Sequence, residues 1–199
     1  MAYSDFSLSS VKKAFDLTLI KNRDLFAGFP EVKPGELLST ILQENLPIAL
    51  ASNTQKARSE LIIAPILVEL RRKLERKIGL FSGINFTVEP ELGLNGNCDF
   101  IISLSEEILF LTSPVITLVE AKKEDLNAGL GQCVAEMIGA QIFNRRENNP
   151  ISTIYGTVTS GTNWRFLKLE EKRVYIDLTE YYLGDLSKVL GILFQGASY

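Results

Sequence analysis

The spacing of apolar positions changes along the chain, and each change marks a different kind of element. Val11, Ala14, Phe15, Leu17 and Ile20 recur at close to the helical period, so a helix capped by Ser9 or Ser10 is expected there. A turn follows around Gly28, Phe29 and Pro30. Leu37, Leu38, Ile41 and Leu42 then mark one side of a helix over 36–46, closed by Pro47. A third helix is expected over about 55–77, capped by Asn53 or Thr54, ended by Gly79 and bent or restarted by Pro65. Its polar face is predicted to hold Pro65, Glu69, Arg72, Lys73 and Arg76. Glu60 falls nearly opposite, in line with Ala64, Leu67, Leu74 and Ile78.

From Ile84 the pattern becomes extended. Ile84, Phe86 and Val88 alternate with polar residues, residues 90–97 carry turn chemistry, and 98–104 reads as a second strand. After a turn at 105–107, residues 108–111 are expected to extend or shield the sheet, and Pro114 introduces the apolar, β-branched run 115–119 as a buried strand. A helix over about 128–144 follows, with Glu124, Asp125 and Asn127 as candidate caps and Asn148, Asn149 and Pro150 as terminators. Gly129, Gly131 and Gly139 lower its propensity, which points to close packing against the sheet. Strands at 151–159, 164–169 and 173–178 and an amphipathic helix over 183–194 complete the pattern. Trp164 is expected to pack against the sheet rather than stack on a base.

The candidate chemistry lies where the buried strand ends in charge. Side chains two apart on a strand share a face, so Glu120 and Lys122 project together while Ala121 points away. Asp99 opens the neighbouring strand and brings another carboxylate to the same place. Two carboxylates and an ammonium suit a hard divalent cation, which takes oxygen ligands and keeps water for a phosphate to displace. Such an ion polarises a phosphodiester, and the lysine can orient or deprotonate the attacking water or stabilise developing charge. Glu60 either points into this site, as a metal ligand directly or through water, or is an exposed first-turn glutamate. Gln132 either reaches a water or phosphate or is a surface amide.

Composition narrows the chemistry further. There is no histidine among the 199 residues, which removes Ser-His-Asp, Cys-His and histidine-zinc mechanisms. Cys98 and Cys133 lack metal or redox spacing and are expected to be reduced and buried. With 46% hydrophobic and 23% charged residues, the chain reads as one ordinary globule. No apolar run reaches a membrane-spanning length and the N-terminus lacks a signal-peptide pattern, so a cytoplasmic protein without a membrane partner is expected. The net charge of −3 speaks mildly against a dedicated nucleic-acid binder, although Arg71, Arg72, Lys73, Arg76 and Lys77, and Arg145 with Arg146, form local basic clusters.

The order helix with Glu60, strand with Asp99, strand with Glu120-Ala121-Lys122 and helix with Gln132 resembles the PD-(D/E)xK, or restriction-endonuclease-like, nucleases over residues 59–169. The segments 59–70 and 157–169 are similar to the N-terminal domain of type I restriction-enzyme R subunits. The resemblance implies an α/β (α+β) fold, a mixed central β-sheet flanked by helices. Residues 1–52 would form an N-terminal helical extension to a nuclease-like domain over 53–199, compact as a whole. It also implies an endonuclease, a hydrolase acting on DNA with Mg²⁺, or Mn²⁺, held by Asp99, Glu120, the Ala121 carbonyl and Glu60. Lys122 would position the attacking water and Gln132 would assist. Cys98 stands where the family's proline is expected, and Glu136 where some branches carry a tyrosine four residues after the glutamine. The alternative is a catalytically silent DNA-binding or assembly subunit of a DNA-processing complex. Cutting both strands with one site per chain would suggest a homodimer or a partner subunit.

Overall fold

The computed structural model describes residues 1–123, 125–149 and 151–198; Glu124 and Pro150, the candidate cap and terminator, lie outside them. The architecture is mixed α/β. A sheet of eight strands runs in the order β1-β7-β6-β5-β4-β3-β2, with β8 paired to β6. The strands are β1 Thr18–Asn22, β2 Gly79–Asn85, β3 Asn97–Ser103, β4 Val115–Ala121, β5 Ile154–Thr159, β6 Asn163–Glu170, β7 Arg173–Asp177 and β8 Tyr181–Tyr182. Pairings β4 with β5 and β1 with β7 are parallel, and the others are antiparallel. All seven residues of β4 are buried, as a central strand covered on both faces requires.

Each face of the sheet carries its own apolar core. On one, α5 (Leu126–Arg146) and the short α1 (Leu8–Ala14) cover Leu118, Val158 and Leu167. On the other, α2 (Glu36–Ser52), α4 (Ala64–Lys73) and α6 (Leu186–Gly196) enclose Val119, Phe166 and Trp164. Trp164 is fully buried and donates its indole N–H to the Gly161 carbonyl, so it supplies core area. Both cysteines are free and buried. No helix among the described residues is long and apolar enough to cross a membrane.

The structure corrects several expectations. The helix expected to run through Leu17 and Ile20 stops after Ala14, capped by Ser7, and the chain enters β1 through Asp16 at φ 52°. Leu17 and Leu19 then alternate into the α5-side core, so the segment expected to be wholly helical contributes an edge strand. The helix expected to stop at Pro47 continues to Ser52, held by buried Leu42 and Ala49. The helix expected over 55–77 is three pieces: α3 (Gln55–Arg58), a π-helical turn Ser59–Ile63, and α4. Pro65 has no N–H for the Leu61 carbonyl, and the side-chain amide of Asn45 in α2 donates to that carbonyl instead, at 2.9 Å. Glu69, expected on the polar face, is buried; it accepts from the Gly35 N–H and pairs with Arg72. Residues 108–110 are exposed and outside the sheet.

Candidate active site

β4 ends where α5 begins to cross over it, and this junction assembles the polar cluster. Antiparallel pairing sets Phe100 opposite Val119, so the start of β3 lies beside the end of β4. Asp99 is half-buried there, and its Oδ2 accepts the Ala121 backbone N–H at 2.8 Å. Glu120 is 1% exposed. Its Oε1 lies 2.6 Å from Lys122 Nζ, and its Oε2 accepts from Gln132 Nε2 at 2.9 Å. Lys122 Nζ donates to Gln132 Oε1 at 3.2 Å, which closes a triangle of three side chains. The Lys122 backbone N–H donates to the Thr159 carbonyl at 2.7 Å, fixing the residue beyond the end of the strand.

α5 can approach this closely because it begins with small residues. Asp125 caps it by accepting the Asn127 N–H. A Cβ on Gly129 would lie 2.6 Å from Val158 Cγ1 and 3.0 Å from Lys122 Cγ. Gly139 likewise meets the Tyr3 phenol. Of the three glycines expected to pack against the sheet, Gly129 does so, whereas Gly131 and Gly139 pack against the N-terminal segment, at Phe6 to Leu8 and at Tyr3.

Charge is unbalanced in this cluster. Glu136, one turn beyond Gln132, is fully buried and accepts from Gln132 Nε2 through Oε1 at 3.0 Å, while its Oε2 has no hydrogen-bond partner among the described residues. Three carboxyl groups thus surround one ammonium. Burial, then the neighbouring Asp99 carboxylate, pushes Glu120 up to about 7. Asp99 is also raised, by burial, against the opposing pull of the Ala121 N–H and of Lys122. Glu136 is raised well above the carboxylate range, by burial and then by Glu120. An added cation would relieve this crowding.

Of the residues singled out from the sequence, Asp99, Glu120, Ala121, Lys122 and Gln132 come together. Glu60 stands apart from the triangle. It is exposed, pairs with Lys56 at 3.7 Å, and lines a cleft of about 430 Å³ with Ser59, Ser82, Gly83 and Asp99. The apolar-stripe position expected for it is not realised, because the π-helical turn shifts the helical phase between Glu60 and Ala64. Among the described residues, no three acidic, histidine or cysteine side chains form a ready-made metal cage. The donors that do converge are oxygens from two carboxylates, which fits a hard ion that retains much of its water. Glu136 is a member of the cluster that the sequence does not mark as functional. Its signal was its spacing of four from Gln132 on a helix, and spacing alone carries no information about burial.

The basic clusters are largely committed within the fold. Arg71 donates to the Ile78 carbonyl, Arg72 and Lys73 pair with Glu69, Lys77 pairs with Glu75, and Arg146 binds Glu89 and the Val88 carbonyl.

No family model matches the chain. It is similar to Crinkler effector protein 1 of Rhizophagus irregularis (strain DAOM 181602 / DAOM 197198 / MUCL 43194), with 24% identity over 182 residues. The match covers 84% of this chain, which spans 37% of the length of that protein. It is a distant, partial likeness.

Proposed function

We propose that this chain is a metal-dependent nuclease that hydrolyses phosphodiester bonds of DNA, built on a restriction-endonuclease-like sheet. The observation that carries this reading is the closed contact of Glu120, Lys122 and Gln132 at the end of β4, with Asp99 anchored on the next backbone amide. Asp99 and Glu120, with the Ala121 carbonyl at the strand end, would hold Mg²⁺ or Mn²⁺, and Glu60 would act from the cleft through water. When bound, the cation supplies charge stabilisation at the phosphate and a lowered pKa for water.

The protein's own groups have separate tasks. The Lys122 ammonium carries three N–H donors; two are used on Glu120 and Gln132, and the third is available to a phosphate oxygen or the attacking water. Its side chain is 24% exposed, so the outer donor can meet substrate while the rest stays fixed. Water attacks phosphorus and releases a proton to solvent as the new P–O bond forms, the P–O bond to the sugar oxygen breaks, and that departing oxygen takes a proton from solvent. Gln132 keeps Lys122 and Glu120 in register by contacting both.

Supercoiled plasmid incubated with the protein and Mg²⁺ or Mn²⁺ tests the reading. Nicked or linear DNA is expected with metal and none with chelator, and Lys122→Ala and Asp99→Ala should each lower the rate by roughly 100-fold or more. Cleavage that persists in both variants overturns it. Salt-dependent DNA binding without cleavage by the wild type would instead identify a silent binding module.

A further inference from the structure

Residues 133–140 of α5 are buried, and all but one are apolar or small. Glu136 is the exception, and its Oε2 has no hydrogen-bond partner among the described residues. A carboxyl in that setting is costly where a leucine would pack, so its retention asks for a task. The geometry supplies one. The Gln132 amide has two N–H donors and one carbonyl: the donors go to Glu120 Oε2 at 2.9 Å and Glu136 Oε1 at 3.0 Å, and the carbonyl accepts from Lys122 at 3.2 Å. Every polar atom of the amide is used. Turned by half a revolution, it would aim its N–H donors at the Lys122 ammonium, losing that contact, and its oxygen at any ionised carboxylate.

We propose that Glu136 is a positioning residue for this site, holding Gln132 in the one amide orientation that bridges Glu120 and Lys122. The i, i+4 spacing places both side chains on the same face of α5, so the helix itself sets the contact. Without the Glu136 acceptor, one Gln132 N–H is left buried and unpaired, and only Glu120 opposes rotation of the amide. Lys122 then loses a fixed partner. The inference deepens the nuclease reading and rests on it for its kinetic consequence, while the amide orientation is observable without turnover.

Two substitutions separate the acceptor from the bulk of the side chain. Glu136→Gln retains an oxygen acceptor in the same place, and Glu136→Leu retains volume without it. Thermal unfolding confirms that each is folded, and ¹⁵N-resolved NMR follows the Gln132 side-chain NH₂, assigned by its loss in Gln132→Leu. Expected are slow water exchange of both protons in the wild type and in Glu136→Gln, and fast exchange of one proton in Glu136→Leu. On a DNA substrate, kcat should fall about tenfold in Glu136→Leu with KM unchanged, and recover in Glu136→Gln. Gln132 resonances that ignore Glu136→Leu overturn the proposal, as does an altered amide with unchanged kcat. A protein that cleaves no DNA yet shows the expected amide pattern overturns the nuclease reading and supports the positioning.

Discussion

Glu120 is a buried carboxyl crowded by Asp99 and paired with Lys122. Burial and Asp99 raise its pKa to about 7 from an ordinary value of 4.5, so the folded state binds a proton that the unfolded chain releases. The contribution to stability is therefore fully present below about pH 4.5 and is lost as pH rises through about 7. Its size is at most about 3 kcal/mol. The metal-free protein should melt at progressively lower temperature across that window, and scanning calorimetry over a pH series checks this. Asp99→Asn keeps an oxygen for the Ala121 N–H but removes the neighbouring charge. It should stabilise the protein at about pH 8 by on the order of 1 kcal/mol while abolishing cleavage, the trade expected when a site is built for chemistry rather than stability. A melting temperature that is flat with pH and unmoved by Asp99→Asn would reject this account of the site's electrostatics. The alternation of β4 made Glu120 and Lys122 legible in the sequence as a pair. The burial of Glu136 was not, because its helix is apolar on several sides and no stripe marks the core.

At the scale of elements, α5 does most to position the site. Its first turns lie on Lys122 and Val158, and its far end is tied to the start of β4, where Asn144 pairs with both the N–H and the carbonyl of Val115 at 2.7 Å each. The helix thus grips the strand at both ends. Gly129→Ala tests the near end: the added methyl must displace Val158 or Lys122, so a loss of about 1–3 kcal/mol in stability is expected, with a proportionally larger loss of activity. Chemical denaturation and cleavage rates measured on the same preparation check both. Unchanged rates with intact stability would show that Lys122 tolerates displacement. The small residues of α5 were readable as a packing surface from composition alone. The restart of the helix before β2 was readable from Pro65, and α4 begins at Ala64; the π-helical turn and the pairing of Asn45 with the Leu61 carbonyl were not, since they depend on a contact with α2.

For the whole molecule, the succession of helical and extended patterns specified β3 to β7 because these are apolar runs bounded by turn residues, whereas β2 runs over Gly79–Asn85 and not over Ile84 to Val88, where the alternation points. β1 does not show in the pattern: Val11 and Phe15 fit a helical period, and only pairing with β7 makes Thr18–Asn22 a strand, with Leu17 just before it and Leu19 within it facing the α5-side core. The first 52 residues consequently share in the main sheet and in both cores rather than forming a purely helical annex. The two basic clusters show the same dependence on tertiary context. Each reads as a potential phosphate contact along the chain, yet most of their members bind carboxylates or carbonyls within the fold. Attraction for nucleic acid, on the proposed reading, then rests more on a bound cation and Lys122 than on a basic surface.

On the proposed reading, Asp99 and Glu120 share a divalent cation. Calorimetric titration of Mn²⁺ into the protein at about pH 8, where Glu120 is ionised, measures this without substrate. One site per chain is expected, lost in both Asp99→Ala and Glu120→Ala and retained in Lys122→Ala. Binding that survives both carboxylate substitutions, or none to the wild type at millimolar Mn²⁺, would contradict it.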